Sequence, residues 1–270
     1  MNLSFPPRQI YYGQPVNWRH PLNVGLVSWW KALPKYAGGA RLIDLCNRNP
    51  GTLTNGPLWV GGRHFSALKF DATDDLVNCG ANASLKMANN LTFAGWVFPL
   101  SYGEGSKGRM YDNQSAGGST LQINNIDTTA GYVWSGGGDH KFPNSAVLSA
   151  WSYLVLTADS SNVILYLNGV QNTSVATIGP LIASTGSFYI GNRGAADRTW
   201  DGILDDLRIY NRTLTASEAL RLYVESSVPY SKLYNYVGHE YLLGQAAATG
   251  PFPPYPSIFT RTAVDRAATY

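Results

Sequence analysis

The sequence predicts an all-β sandwich of short strands with one short C-terminal helix, on three observations. First, glycine is abundant at 28 residues and charge is sparse at 14%, while 17 Tyr and 8 Trp supply large apolar faces. That mixture suits short strands and tight turns. Second, Trp151 to Val170 reads as a hairpin. Its arms are Tyr153 to Ala158 and Val163 to Leu167, joined by Asp159-Ser-Ser-Asn162, and Asn168-Gly169 makes a further tight turn. Third, Gly202 to Glu218 reads as a strand, a turn and a helix start. A period of two puts Ile203, Asp205, Leu207 and Ile209 on one face and Leu204, Asp206, Arg208 and Tyr210 on the other. The first face is apolar except for Asp205, which therefore needs a hydrogen-bond, cationic or metal partner. Thr215 and Glu218 have capping-box spacing and open a helix that carries Leu220 and Val224 and ends near Glu225.

In chain order, residues 1–22 hold Pro6, Pro7, Pro15 and Pro21 among aromatic residues with no sustained period, which predicts an extended arm. The domain spans 23–228, and its core begins near Val24. Residues 31–64 are punctuated by Pro34, Gly38-Gly39, Pro50-Gly51, Gly56-Pro57 and Gly61-Gly62 and read mostly as loop. Strands are predicted at 65–71, 74–79 and 91–99. In the last, Leu91, Phe93 and Val97 face one way while Thr92, Trp96 and Phe98 face the other, so this strand is covered on both sides. Further strands are predicted at 108–112, 119–123, 130–135, 186–191 and 202–210. Residues 229–270 form a Pro- and Tyr-rich arm around Gly250-Pro-Phe-Pro-Pro-Tyr-Pro256. A domain of about 200 residues buries roughly 70% of its unfolded surface and needs no covalent staple. Cys46 and Cys79 either pair or sit as two small buried residues.

Several segments, in order, resemble laminin-G-like domains of the concanavalin-A type. These are Leu26-Val-Ser-Trp-Trp30, the polar loop Asp44 with Asn47 to Asn55, and Ala67-Leu-Lys-Phe-Asp-Ala-Thr-Asp-Asp-Leu-Val77, where Ala72 stands at a position usually glycine. Leu91-Thr-Phe-Ala-Gly-Trp-Val97, Trp151-Ser-Tyr-Leu-Val-Leu156, Asn162 to Gly169, Tyr189-Ile-Gly-Asn192 and the strand from Gly202 complete the set. The resemblance covers roughly residues 24–225 and implies a two-sheet antiparallel jelly roll. It also implies a calcium ion at one rim. Asp71, Asp74 and Asp75 lie in one turn, with Asp205 on the closing strand, and hard oxygen ligands of this kind suit Ca²⁺. The alternative is an Asx-turn network in which these aspartates accept backbone N–H bonds.

Charge and motifs narrow the function. The balance of +3 is close to neutral and no basic run occurs, which excludes nucleic-acid binding. No apolar run is long enough to span a bilayer, so no membrane partner is expected. Met1 to Ile10 hold no apolar h-region, which sets the expectation of a chain without a secretory signal. Glycan hydrolysis needs two carboxylates about 5 to 9 Å apart. Glu104, Glu218, Glu225 and Glu240 form no such pattern, and adjacent Asp205 and Asp206 are expected on opposite faces. No nucleophile elbow or phosphate loop occurs, and His20, His64, His140 and His239 are far apart.

Two tryptophans in loop-like context, Trp134 and Trp200, either stack on a sugar ring or cap the sandwich core. Asp197, Arg198 and Asp201 flank Trp200 and would bind hydroxyls, with Tyr102, Tyr111 and Tyr132 extending the surface. In the arms, Phe5, Tyr11, Tyr12, Trp18, Phe252, Tyr255 and Phe259 are the expected anchors on neighbouring protein subunits, since Pro-rich aromatic segments lose little entropy on docking. The alternative is free termini. The leading expectation is a non-catalytic, homo-oligomeric structural or adhesion protein at a virion surface. Standalone domains of this type without a secretion signal are familiar among tailed-phage structural proteins, as capsid decorations, head fibres or tail-associated subunits. A secreted bacterial carbohydrate-binding module, working outside the cell, is the second reading. A glycoside hydrolase is a remote third.

Overall fold

The computed structural model of the protein describes residues 16–33, 38–63, 66–113, 117–124, 129–134, 138–142, 147–176 and 182–227. All of them belong to the unit Met1–Gly238. The expected anchors Phe5, Tyr11, Tyr12, Phe252, Tyr255 and Phe259 lie outside the described residues.

In order the strands are β1 (Leu26–Lys31), β2 (Arg41–Asp44), β3 (Gly51–Thr54), β4 (Leu58–Gly61), β5 (Ser66–Asp71), β6 (Leu76–Asn78), β7 (Leu91–Pro99) and β8 (Arg109–Asp112). There follow β9 (Ser119–Asn124), β10 (Thr129–Trp134), β11 (Gly138–Phe142), β12 (Ser152–Ala158), β13 (Asn162–Leu167), β14 (Val170–Ala176), β15 (Tyr189–Ile190) and β16 (Asp201–Tyr210). One helix, α1 (Ala216–Ser226), closes the series. Every pairing is antiparallel. One layer runs β1-β16-β7-β12-β13-β14, with β5 also on β16 and β4 on β5. The other runs β2-β3-β6-β15-β8-β9-β10-β11. β2 joins the layers, since its Ile43 and Asp44 pair with β1 while its Arg41 and Leu42 pair with β3. The result is the two-sheet antiparallel jelly roll that the sequence implies.

The main core fills the space between the sheets. Trp30, Phe70, Phe93, Tyr111, Leu154 and Trp200 are among its buried members, and Phe188 stacks on both Trp30 and Tyr111 at 5.3 and 5.4 Å. A second core lies on the other face of the β16 sheet, where Trp29, Trp96, Tyr153, Tyr210 and Leu222 meet beneath α1. β7 is therefore buried on both faces, as its two apolar stripes predict. The helix begins as the capping box requires, with Thr215 and Glu218 each bonding the other's backbone.

Two expectations are refined. Residues 31–64 lie mostly outside strands, as expected, but they also hold the short strands β2, β3 and β4. Each is only four residues long and owes its form to a neighbour, so local pattern does not reveal it. The turn at residues 16–23 packs on the domain rather than standing off as an arm. Val16 and Leu22 are buried against the second core, and Pro21–Asn23 forms a 3-10 turn capped by His20. Trp18, an expected anchor, is half exposed beneath the Arg48 guanidinium. Cys46 and Cys79 are both free thiols, each pushed far up by burial.

Candidate functional site

The acidic pair on β16 comes first because it decides whether the domain can hydrolyse a glycan. β16 carries one extra residue against β7. Asp205 registers with Trp96 and Arg208 with Ala94, and Asp206 takes a positive φ of 54°. This bulge breaks the alternation, so Asp205 and Asp206 do not point to opposite faces as expected. Both turn toward the second core, only 3% and 2% exposed. Asp206 accepts from Trp29 Nε1, from Lys31 Nζ at 3.3 Å and from Arg208 Nη2 at 2.8 Å. The Arg208 guanidinium lies 3.9 Å from the Trp29 ring. These two cations hold the Asp206 carboxyl below its usual range against the opposing effect of burial. Asp205 accepts the Arg63 backbone N–H at 2.9 Å through Oδ2, while its Oδ1 is buried with no hydrogen bond. Burial, with the Asp206 charge adding to it, pushes Asp205 up to about 6.

That shift has a sign. A carboxyl near 6 when folded and 3.8 when unfolded stabilises the fold fully below pH 4, and the contribution is lost as pH rises through 6. The loss is about 3 kcal/mol. Asp205→Asn should therefore be as stable as the parent at pH 4 and more stable at pH 7, measured by urea unfolding at the two pH values. Equal curves at both would contradict it.

The acidic turn is the second feature. Asp71, Asp74 and Asp75 present carboxylate oxygens all within 4.8 Å of one another. Asp71 and Asp74 are exposed, whereas Asp75 is 3% exposed. Burial and then the Asp71 charge push the Asp75 carboxyl up to about 6. Ala72 between them adopts φ 65°, which explains the glycine usual at that position in the resembling family. Asp205 does not join this group. It is held beside Trp96, four residues along β16 from Asp201, which pairs with Asp71. The three-oxygen set fits a hard cation such as Ca²⁺, because a buried carboxylate facing two others lacks a compensating charge. The Asx-turn alternative is met in part, since Asp71 Oδ1 accepts the Thr73 N–H at 2.9 Å.

Beside the acidic turn lie two loops, 101–108 and 191–201, and together the three make one rim. Gly191 enters the second loop at φ +78°, with its Cα so close to Phe70 that a Cβ would fall 2.0 Å from the ring. Asn192, 0% exposed, then donates to the Asp75 carbonyl at 3.2 Å and to Thr199 Oγ1 at 2.6 Å. Its Oδ1 accepts from the Arg193 and Arg198 amides at 2.8 and 3.0 Å. Glu104 Oε2 accepts from the Thr199 amide and hydroxyl, both at 3.1 Å, and so ties in the remaining loop. On this frame Arg193 and Asp197 form an ion pair that lowers the Asp197 carboxyl, and their side chains are 34% and 42% exposed. Arg198 stands beside them at 31%.

The expected glycan residues divide accordingly. Asp197 and Arg198 are together on the rim, and Asp201 is partly exposed at the start of β16. Trp200 is a correction. It is 0% exposed and belongs to the main core, so it presents no face to a sugar. Tyr111 is likewise core, while Tyr102 is partly buried. Trp134 ends β10, and its side chain, like that of Tyr132, lies outside the described residues. The sequence reading missed Arg193, Glu104 and Asn192, although Asn192 stands in the Tyr-Ile-Gly-Asn segment it singled out. It also missed the work of Asp44, whose carboxylate accepts the amides of Trp29, Cys46, Arg48 and Asn49 and so shapes the early polar loop.

These features define an antiparallel jelly roll whose exposed polar chemistry gathers on a loop-built rim. The chain belongs to the concanavalin A-like lectin/glucanases superfamily, whose family profile it matches over residues 70–219. No curated protein matches it. Among solved structures it is similar to the binding domain of Paraclostridial Mosquitocidal Protein 1, at TM-score 0.60 and 18% identity over 76% of this chain and 53% of that one. It is also similar to domain 4 of a GH43 extracellular arabinanase from Geobacillus stearothermophilus, solved in complex with arabinotriose. There the TM-score is 0.58 and the identity 18%, over 73% of this chain and 98% of that domain. For Trypanosoma rangeli sialidase the values are 0.55 and 17%, over 76% of this chain and 33% of the enzyme. The chain thus spans about half of the toxin binding domain and a third of the sialidase, but nearly all of the arabinanase domain.

Proposed function

We propose that this is a non-catalytic binding domain that takes a glycan on the rim formed by residues 71–75, 101–108 and 191–201. The observation that carries the reading is the partly exposed Arg193, Asp197 and Arg198 group on a frame fixed by buried Asn192. A charged, hydrogen-bonding surface with little freedom suits recognition of hydroxyls and acidic sugar groups. Against hydrolysis stands the placement of the adjacent acids Asp205 and Asp206 on β16, both buried. The toxin and arabinanase similarities support binding over catalysis, and the arabinanase domain was solved with a sugar oligomer. At the edge of the rim Asp71, Asp74 and Asp75 would hold a Ca²⁺, whose part is to neutralise the turn and offer open coordination positions to ligand hydroxyls.

The domain is carried, in this reading, on a virion surface as a capsid decoration, head-fibre or tail-associated subunit. Its terminal segments attach it to neighbouring protein subunits, including copies of itself. The support is the aromatic, Pro-rich composition of those segments and the exposed Trp18. A secreted carbohydrate-binding module is the second reading, favoured by the near-complete match to the arabinanase domain. A glycan array with the full chain should show saturable binding that falls about tenfold in Arg198→Ala. Deleting 229–270 separates the two readings. Loss of particle incorporation with glycan binding intact is expected of the virion subunit, and a harmless deletion would favour the secreted module. Absence of any glycan signal would overturn the rim assignment.

A further inference from the structure

The sequence holds two Asn-Gly pairs, Asn55-Gly56 and Asn168-Gly169, and the fold places them in opposite settings. An asparagine before glycine is prone to lose its side-chain amide, because no Cβ keeps the glycine nitrogen away from the asparagine Cγ. Asn168 is guarded. Its Oδ1 accepts the Tyr153 amide at 2.8 Å, and its own amide donates to the Tyr153 carbonyl at 2.8 Å. Gly169 is buried, and a Cβ there would fall 2.8 Å from Leu220 Cδ1 and 3.1 Å from Tyr223 Cδ1. Asn55 is open. It stands exposed in the turn after β3 beside exposed Gly56, the two at φ 66° and 112°. Apart from chain neighbours, the one atom within 4 Å of a Cβ added at Gly56 is Asp75 Oδ1, at 3.8 Å. Among the described residues the Gly56 N–H donates no hydrogen bond, so its nitrogen is free to react. The Asn55 side chain makes one bond, from Nδ2 to the Asp74 carbonyl at 3.0 Å.

We propose that Asn55 is a site of spontaneous deamidation, and that its conversion releases the 71–75 turn from the turn that follows β3. The Gly56 nitrogen attacks Asn55 Cγ and gives up its proton. The Cγ–Nδ2 bond breaks, the side-chain nitrogen leaves as ammonia, and a succinimide ring remains. Water then adds to one of the two ring carbonyls. Opening at Cγ gives aspartate, and opening at the main-chain carbon gives isoaspartate, with the chain rerouted through the side chain. Water is the only co-reactant. Either product exchanges a neutral donor for a carboxylate, which only accepts. The bond to the Asp74 carbonyl is lost, and two acceptors face each other in its place. The new charge also joins Asp71, Asp74 and Asp75, whose carboxylate oxygens already lie within 4.8 Å of one another. Like charges so placed repel. Because the 71–75 turn is one wall of the rim, the reaction ages the surface to which glycan is assigned. The inference itself stands on the two turns and survives a failure of the glycan reading.

The test incubates the full chain in warm, mildly alkaline buffer and follows it by peptide mapping with mass spectrometry. Isoaspartyl methyltransferase labels the isoaspartate fraction. Asn55 should convert about tenfold faster than Asn168, since the guarded turn must open before it can react. In urea the two rates should converge, because each residue is then an unfolded Asn-Gly. Conversion of Asn55 no faster than that of Asn168, or a ratio that urea leaves unchanged, would overturn the assignment. Asn55→Asp supplies the product directly. The Thr73 N–H is held by Asp71 Oδ1 at 2.9 Å, and its hydrogen exchange should quicken about tenfold in this variant as the turn loosens. Asn55→Gly removes the same bond and accepts the positive φ without adding charge, so it should quicken exchange by less. Unchanged exchange at Thr73 in Asn55→Asp would overturn the release of the turn and leave the deamidation standing.

Discussion

Asp206→Asn should cost about 3 kcal/mol of stability, and Asp206→Ala about 3–5 kcal/mol, in urea unfolding at neutral pH. The Asp206 carboxylate is the counter-charge for Lys31 and Arg208, both buried beside it under the second core. Removing it leaves two cations in a low-dielectric site, and that desolvation is the larger part of the penalty. Asparagine isolates the charge, because it keeps the shape and tolerates the positive φ found here, whereas alanine adds backbone strain. Neighbouring Asp205 should behave in the opposite way at pH 7, since the burial of its charge outweighs the attraction of Lys31. Two adjacent aspartates, alike in sequence and burial, are thus expected to differ in the sign of their effect. A loss below 1 kcal/mol for Asp206→Ala would show that the cations find other neutralisation. Neither variant should alter glycan binding at the rim, because β16 delivers both side chains to the face under α1.

How much of this was legible in the sequence depended on the range of the interactions. The hairpin of β12 and β13 and the Thr215 capping box involve neighbours in the chain, and local pattern located both. The two-sided burial of β7 was also readable, since each face carries its own apolar stripe. The bulge in β16 was not. One extra residue shifts the register between Asp205 and Arg208 without any mark in composition, and it took Asp205 off the face of Leu207 and Ile209 where alternation had placed it. Strands β2 to β4 were hidden for a related reason, being four-residue segments defined by pairing. At the site, Asp197 and Arg198 were legible as charged loop residues. Asn192 was not, because a buried asparagine gains its meaning from Asp75 and Thr199, which are remote or on the far side of a loop.

Trp200→Ala should cost about 3–5 kcal/mol while leaving the polar rim chemistry to fail only through unfolding. The sequence left this residue open between a sugar platform and a core cap, and the structure places it in the main core, fully buried. Its backbone also helps to hold the sandwich end, donating to the Gly191 carbonyl at 2.7 Å and accepting the Ala72 amide at 3.1 Å. Those bonds survive any side-chain change, so the cost belongs to the lost indole volume between the sheets. Trp200→Phe supplies the discriminating comparison. The indole Nε1 is buried without a hydrogen-bond partner, so replacing it by an apolar ring removes an unsatisfied donor and offsets part of the lost contact area. The phenylalanine variant should therefore lose about 1–2 kcal/mol and bind glycan as the parent does. A platform tryptophan would behave otherwise, with normal stability in both variants and weakened glycan binding in the alanine form. Urea unfolding and the glycan array, run on the same two proteins, separate these outcomes.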